Sequence, residues 1–484
     1  MSKPLHLIDL SLTFPHKTCF ENFQAQILPG SRIGIIGRNG SGKSTLLKII
    51  QGSVLPSDGE IRRPDDDKIS YVPQLIENDD TSSGGERFNH ALTAALSTCP
   101  DILLLDEPSN HLDQKNKKAL IKLLNAYEGT LIMVTHDPQL LRATTDTLWH
   151  LDQGKISIFS GEFDDYQRHL QETRTAIENQ LLALRKQQKS AHEALMKEQG
   201  RSSKSRSKGE KSIENRKWPT IVSQAKARRG EETSGRKQKA IADRREALSE
   251  QLQDLPFYEI IVPKFSLSAA QISRQSLIDI HDGSVTYEPS TPLLKNIHFS
   301  LGGTERVAFI GNNGSGKSSF VKALLNHPAI QRTGTWLTPS LKEIGYLDQH
   351  YQNLDPQKTV LESISLLCPT WAPSDVRKHL NDFLFRKNEE VNAKIATLSG
   401  GEKVRLSLAQ IAAKTPSLLI LDEVTNNLDL ETRAHVIQVL KDFPGALIVI
   451  SHDEDFLKEI GVSREVRVPE DIYFEKNTSK NIEY

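Results

Sequence analysis

The chain has 484 residues, 61 Lys+Arg, 62 Asp+Glu, three cysteines and a formal net charge of −1. That length suits two or three domains of ~100–200 residues, and 37% hydrophobic with 25% charged residues suits a globular protein carrying extra polar sequence. No apolar run approaches the ~20 residues that cross a bilayer, residues 1–16 lack the apolar segment of a secretory signal, and Cys19, Cys99 and Cys368 are too few and too scattered for a disulfide framework, a four-cysteine zinc site or an iron–sulfur cluster, so a reducing compartment is expected.

Residues 32–36 form an apolar strand pattern and residues 45–50 a helical one. Between them, residues 37–44 fit G-x-x-x-x-G-K-[ST]. Glycines there (Gly37, Gly40, Gly42) let backbone N–H groups close around phosphate oxygens at a positive helix end. Lys43 is placed to reach β/γ-phosphates and Ser44 to ligate Mg²⁺. Gln74 follows, then SGGE at 83–86. Residues 102–105 are four consecutive apolar residues, the pattern of a strand buried on both faces. They end in Asp106 and Glu107, the first placed to hold Mg²⁺ and the second to orient and polarise an attacking water. A further apolar strand, residues 130–134, leads to His136, where a histidine can contact a γ-phosphate.

The middle of the chain changes character. Phe163, Leu170, Ile177, Leu184 and Ala191 recur every seven residues, with Tyr166 and Leu181 beside them, and Ile241, Leu248 and Leu255 recur likewise with Leu252. Two helices with apolar seams predict an antiparallel hairpin, the first helix running for ~37 residues, or ~55 Å. Between the seams, residues 201–240 hold 13 basic and four acidic residues, a local excess of +9 that leaves the rest of the chain at −10. Such a segment reads as a nucleic-acid contact or, more plainly, as a solvated linker. Trp218 within it suits stacking on a nucleotide base and equally suits pinning the hairpin's return path.

Then the first pattern recurs. Strand residues 306–310, the loop at 311–318 and helix residues 319–324 repeat 32–50, and LDEVTNNLD at 421–429 repeats LDEPSNHLD at 105–113. SGGE returns at 399–402, and His452 follows the strand pattern 446–450 as His136 follows its own. The loop is offset by 274 residues, Gln74 to Gln349 by 275, and Ser83 to Ser399, Asp106 to Asp422 and His136 to His452 each by 316. A block of 41 residues between Gln349 and Ser399 is therefore extra in the second copy; the first has eight residues between Gln74 and Ser83.

A phosphate loop, a glutamine, SGGE, an Asp-Glu strand end, a following LD and a histidine, in this order and twice, resemble ATP-binding cassette (ABC) ATPases. The resemblance implies an α/β fold of two P-loop cassettes, residues 4–165 and 277–460, paired head to tail within one monomer. A basic helical-hairpin linker (166–262) would join them, and a short tail (461–484) would follow. It implies ATP and Mg²⁺ as ligands and ATP hydrolysis as the activity. One site would use Gly37, Asn39, Gly40, Ser41, Gly42, Lys43, Ser44, Thr45, Gln74, Asp106, Glu107 and His136, with Ser399, Gly400 and Gly401 from across the interface. The other would use Gly311, Asn313, Gly314, Ser315, Gly316, Lys317, Ser318, Ser319, Gln349, Asp422, Glu423 and His452, with Ser83, Gly84 and Gly85. Ser44, Gln74 and Asp106, and Ser318, Gln349 and Asp422, would surround the metal. Glu107, Glu423, His136 and His452 would be catalytic, Asp113 and Asp429 would lie at the interface, and Phe14 and Tyr287 would stack on adenine, the alternative for both being a core aromatic. Ser82 replaces the leucine usual before SGGE, and Val424 replaces the proline found at Pro108; neither change removes a catalytic group.

Two fused cassettes without membrane spans, separated by a basic hairpin, resemble the ABC-F translation factors and ribosome-protection proteins. That resemblance implies a cytoplasmic ATPase whose partner is the ribosome, with ribosomal RNA and tRNA. Its linker would enter near the tRNA exit site and reach toward the peptidyl-transferase centre. Housekeeping translation control and antibiotic resistance both stay open; the short first cassette resembles the resistance-type members. Alternatives are an ATPase acting on DNA or structured RNA, and the ATPase subunit of an ABC transporter. The transporter reading needs the helical insert that the first cassette nearly lacks, and chromosome-structural ATPases place their coiled coil within one cassette rather than between two.

Overall fold

The computed structural model describes residues 4–214 except 16, 65–66, 75–83, 111 and 153, residues 239–240, and residues 276–468 except 288–291, 313, 349–350, 352–353 and 426–427. Its contacts divide the chain into a unit of residues 1–163 with 260–484 and a second unit of residues 164–259.

In the first copy, β1 (Leu5–Phe14), β2 (Lys17–Ile27) and β4 (Asp58–Arg62) form an antiparallel sheet in the order β2-β1-β4. A six-stranded sheet accompanies it: β5 (Ile69–Val72), β6 (Ile102–Asp106), β7 (Thr130–Val134), β3 (Arg32–Gly37), β8 (Thr147–Asp152) and β9 (Lys155–Ser160), in that spatial order. All pair in parallel except β9. Every residue of β6 and β7 is buried, as continuous apolar strands covered on both faces must be. The second copy repeats this with β11 (Leu294–Leu301), β10 (Ile278–Tyr287) and β13 (Ile330–Leu337) in one sheet. Its parallel sheet runs β14 (Ile344–Leu347), β15 (Leu418–Asp422), β16 (Ala446–Ile450), β12 (Arg306–Ile310), β17 (Arg464–Arg467).

The helices after the phosphate loops are α1 (Lys43–Gln51) and, in the second copy, α6 (Lys317–Leu324). The SGGE motifs open α2 (Gly84–Ser97) and α10 (Gly400–Lys414). In the second copy SGGE is itself a capping box: Ser399 N–H donates to Glu402 Oε2 at 2.7 Å, and Glu402 N–H to Ser399 Oγ at 3.4 Å. Asp113 caps α3 (Gln114–Ala126) and Asp429 caps α11 (Leu430–Asp442). Asp137 caps α4 (Pro138–Thr144) and Asp453 caps α12 (Glu454–Glu459). Carboxylates at four helix starts satisfy backbone N–H groups that have no intrahelical partner.

The block extra to the second copy folds as α7 (Val360–Ser365), α8 (Pro373–Asp382) and α9 (Asn388–Asn392). Val360, Ile364, Val376, Leu380, Phe383 and Phe385 join one core with Val404, Leu406 and Leu408 of α10. The corresponding stretch of the first copy, 75–83, lies outside the described residues.

The second unit is described as α5 (Phe163–Glu214), 52 residues, or ~78 Å. The expected length of ~37 residues was too short. The apolar seam stops at Ala191, but residues 192–214 hold four Glu, four Lys and two Arg among their polar residues, straight-chain helix formers that carry a helix past the end of an apolar seam. Trp218, most of the basic stretch (215–238), the second seam (241–255) and residues 469–484 of the tail lie outside the described residues.

Candidate active sites

The first phosphate loop is shaped by contacts only glycine permits. At Gly37 φ is +147°, and a Cβ there would lie 2.4 Å from the Leu151 carbonyl oxygen. The loop curls over Lys43, whose buried ammonium donates to the carbonyls of Gly37 (2.7 Å) and Arg38 (2.9 Å). Ser44 Oγ donates to Asp106 Oδ1 at 3.1 Å, and the Tyr71 hydroxyl donates to Asp106 Oδ2 at 3.1 Å. Burial raises the Asp106 carboxyl above its ordinary range, against these two hydrogen bonds. Glu107 stands at φ +49°, a strained conformation for a side chain of its size. Its N–H is held by the Val134 carbonyl at 2.8 Å. Burial pushes the Glu107 carboxyl up to about 8, with Lys43 pulling the other way. His136 Nε2 lies 3.4 Å from Glu107 Oε1, and burial, then Lys43, lowers the imidazole to about 3. It is therefore neutral at physiological pH. Both His136 ring nitrogens and Ser41 Oγ are buried without a hydrogen-bond partner.

The second copy repeats the arrangement. Lys317 Nζ donates to the carbonyls of Gly311 (2.8 Å) and Asn312 (2.9 Å). Ser318 Oγ and the Tyr346 hydroxyl each lie 3.4 Å from a separate oxygen of Asp422. Glu423 has φ +49°, and His452 Nε2 is 4.0 Å from Glu423 Oε1. Burial, then Lys317, lowers His452 to about 4. Ser315 Oγ and His452 Nε2 are buried and unpartnered.

The two copies meet at these loops. Asn39 N–H donates to Asp429 Oδ2 at 3.1 Å, and Arg38 pairs with Glu431. In the other direction, Asp113 is close enough to Lys317 and His452 to act on both pKa values in the raising direction. A cavity of about 370 Å³ is lined by Asp113 and Gln114 from one copy and by Gly311, Asn312, Ser315 and His452 from the other. A cavity of about 870 Å³ adjoins the first loop at Lys17, Thr18, Cys19, Arg38 and Ser41.

Comparison with known proteins agrees with this geometry. The ABC transporter family model matches residues 20–82 and 294–426, and an AAA-domain model matches residues 64–142. The chain is 29% identical over 482 residues to Ribosome protection protein VmlR of Bacillus subtilis, covering 95% of this chain and 86% of that one. It is 28% identical over 530 residues to ATP-binding protein Uup of Haemophilus influenzae, covering 92% and 76%. The chain is a tandem-cassette ATPase with two ABC regions, similar over most of its length to these relatives. Among its described residues no helix is long and apolar enough to cross a membrane. An ABC ATPase binds ATP, and the groups present fit it. Two ammonium groups are parked on their own loop carbonyls, and hydroxyl and imidazole atoms are buried without partners. Serine hydroxyls face carboxylates, hard oxygen donors that suit Mg²⁺.

The residues expected at the two sites do not all fall in the same place. Gly40, Gly42 and Thr45 in the first loop, with Gly314, Gly316 and Ser319 in the second, take their positions around Lys43 and Lys317. Gln74 is exposed just past the end of β5, and Ser83, Asn313 and Gln349 lie outside the described residues. Gly84 and Gly85 open α2, and Gly400 and Gly401 open α10 behind Ser399. The Tyr287 hydroxyl is 3.2 Å from Ser319 Oγ, at the edge of the second loop. Phe14 is half exposed at the tip of a hairpin that touches the first loop through Lys17, whose ammonium donates to the Gly40 carbonyl at 2.9 Å.

Three contacts were missed by sequence reasoning. Tyr71 and Tyr346 differ by 275, the same offset as Gln74 and Gln349, so the repeat register could have found them. Lys117 with Asp137 (2.6 Å) and Arg433 with Asp453 (3.2 Å) are buried ion pairs at the common offset of 316. They tie the start of α3 or α11 to the loop of His136 or His452. The Arg38–Glu431 pair has no counterpart in register and carries no sequence signal.

Proposed function

We propose that this ATPase binds the ribosome, and that ATP binding and hydrolysis insert and release its basic linker near the tRNA exit site and peptidyl-transferase centre. The observation that carries this is likeness to a ribosome protection protein over 95% of the chain, with a 52-residue helix leading into the +9 segment. A long helix carrying concentrated positive charge, on a chain that is otherwise acidic, suits phosphate-rich RNA. The work would be done in the cytoplasm by a monomer whose two cassettes pair within one chain.

In this reading each site holds one ATP. Lys43 and Lys317 leave their loop carbonyls for the β- and γ-phosphates, and Ser41 and Ser315 turn their hydroxyls to phosphate oxygens. Ser44 with Asp106, and Ser318 with Asp422, would hold Mg²⁺, with Gln74 and Gln349 completing the surround; the ion would neutralise charge on the phosphates. Tyr71 and Tyr346 keep the carboxylates turned toward the serines. Glu107 and Glu423 orient the attacking water and take its proton. Burial by itself favours the neutral Glu107 acid, so the carboxyl works as a base only in a site rearranged by substrate. Neutral His136 and His452 donate to the γ-phosphate. Ser399 to Gly401, and Ser83 to Gly85, close each site from the opposite cassette, while Phe14 and Tyr287 hold adenine.

Expression should raise resistance to antibiotics of the peptidyl-transferase centre or exit tunnel if the protein is of the protection type, read as growth inhibition with and without the gene. Replacing Arg228, Arg229, Arg236 and Lys237 with Gln should abolish that effect and reduce sedimentation with ribosomes, most clearly at low salt, with a shallower salt dependence than wild type. Equal sedimentation of this variant and wild type at two salt concentrations would remove the linker from the contact.

A further inference from the structure

The two inter-cassette contacts at the phosphate loops differ in charge. Arg38, the second residue of the first loop, makes two parallel bonds to Glu431 near the start of α11: Nε to Oε2 at 2.6 Å and an NH₂ group to Oε1 at 2.8 Å. The next residue, Asn39, donates its N–H to Asp429 Oδ2 at 3.1 Å. The other oxygen of Asp429 receives Thr432 N–H at 2.8 Å, so it is fixed to its own helix. One loop of the first cassette is thus held at consecutive residues by one helix start of the second.

The pseudo-symmetric place cannot form the ion pair. An offset of 274 puts Asn312 where Arg38 stands, and an offset of 316 puts Lys115 where Glu431 stands. A neutral amide opposite an ammonium forms no ion pair. Among the described residues, the charged contacts near the second interface, Gln114 with Glu454 and Arg142 with Asp455, touch neither phosphate loop.

We propose that Arg38 and Glu431 are positioning residues that clamp the site built on Lys43, so that the two sites open in order and nucleotide leaves the Lys317 site first. The clamp acts on the loop rather than on the reacting atoms: an open interface needs the bidentate pair broken, and the Lys317 site opens without that step. Planar guanidinium–carboxylate geometry is the strongest form of such a pair. Its side chains are 52% and 34% exposed, so solvent screens it. Its effect on release is therefore about fivefold, corresponding to ~1 kcal/mol.

The inference rests on the reading that ATP occupies both sites, and the test separates the two claims. Full-length protein carrying Glu107→Gln and Glu423→Gln is loaded with a fluorescent ATP analogue and Mg²⁺, bound stoichiometry is counted, and release into excess ATP is followed by stopped flow. Two bound nucleotides leaving in two phases of equal amplitude are expected. Glu431→Lys should speed the slow phase about fivefold and leave the fast phase alone, and Arg38→Lys, which keeps charge but loses the fork, should fall between. Asn312→Arg with Lys115→Glu should install the clamp at the second site and slow the fast phase. Two nucleotides leaving in phases that Glu431→Lys does not move would overturn the clamp while leaving both ATP sites standing. Fewer than two bound nucleotides would overturn the two-site reading and the clamp with it.

Discussion

Replacing Glu107 with Gln should stabilise the nucleotide-free protein in alkali and leave it unchanged in acid. The Glu107 side chain is only 10% exposed, and burial moves its carboxyl from the ordinary 4.5 to about 8. The folded state then holds this proton more tightly than the unfolded chain does. Stability is lost progressively as pH rises from about 4.5 to about 8, and the full cost of the buried charge is present above that. At ~1.4 kcal/mol per tenfold change in proton affinity, the cost is about 3–5 kcal/mol. Gln has nearly the shape of the neutral acid and carries none of it. His136 does not confuse the comparison. Its pKa is lowered to about 3, so its stabilising contribution is present above the unfolded value of 6.5, is lost as pH falls toward 3, and is common to both proteins. Thermal unfolding of each at pH 5, 7 and 9 is the assay. Midpoints should differ by no more than about 4 °C at pH 5 and separate by roughly 6–20 °C in favour of Gln at pH 9, taking ~2–4 °C per kcal/mol for a cassette-sized unit. Equal midpoints at every pH, or a more stable wild type at pH 9, would refute the argument.

Breaking the buried Lys117–Asp137 pair with Lys117→Met should cost about 3–5 kcal/mol by stranding a buried carboxylate, and adding Asp137→Asn, which removes the charge and keeps the cap of α4, should recover much of it; chemical denaturation of both variants decides. Gly37→Ala puts a methyl 2.4 Å from the Leu151 carbonyl, so nucleotide affinity should fall at least tenfold in equilibrium titration, whereas Gly40→Ala meets nothing within 4 Å and should cost less. Glu107→Gln should lower single-turnover hydrolysis more than Glu423→Gln, because in the proposed head-to-tail pairing the Lys43 site is closed by the signature that the complete helical block carries; indistinguishable rates would detach that block from the chemistry.

Much of the site was readable before the fold. The strands at 130–134, 306–310 and 446–450 run where the apolar patterns put them, because a strand buried on both faces leaves an uninterrupted apolar word. Phosphate loops and strand-end carboxylates are local in sequence and came twice in register. What could not be read was whatever needs two distant segments at once. The tyrosine on each Asp sits one strand away, and Arg38 meets Glu431 across 393 positions. The length of α5 was underestimated because the expectation followed the seven-residue apolar repeat, which ends at Ala191.

The central claim is ATP-dependent attachment to ribosomes ended by hydrolysis. It is tested most directly by sedimenting purified ribosomes with wild type and with the Glu107→Gln, Glu423→Gln double variant, each with ATP or ADP. The amide side chains cannot accept a proton from water, so the double variant should bind ATP, pellet stoichiometrically with ribosomes and stay in the supernatant with ADP, while wild type pellets only transiently. A double variant that still turns over ATP, or one that holds ATP yet fails to pellet, would contradict the account.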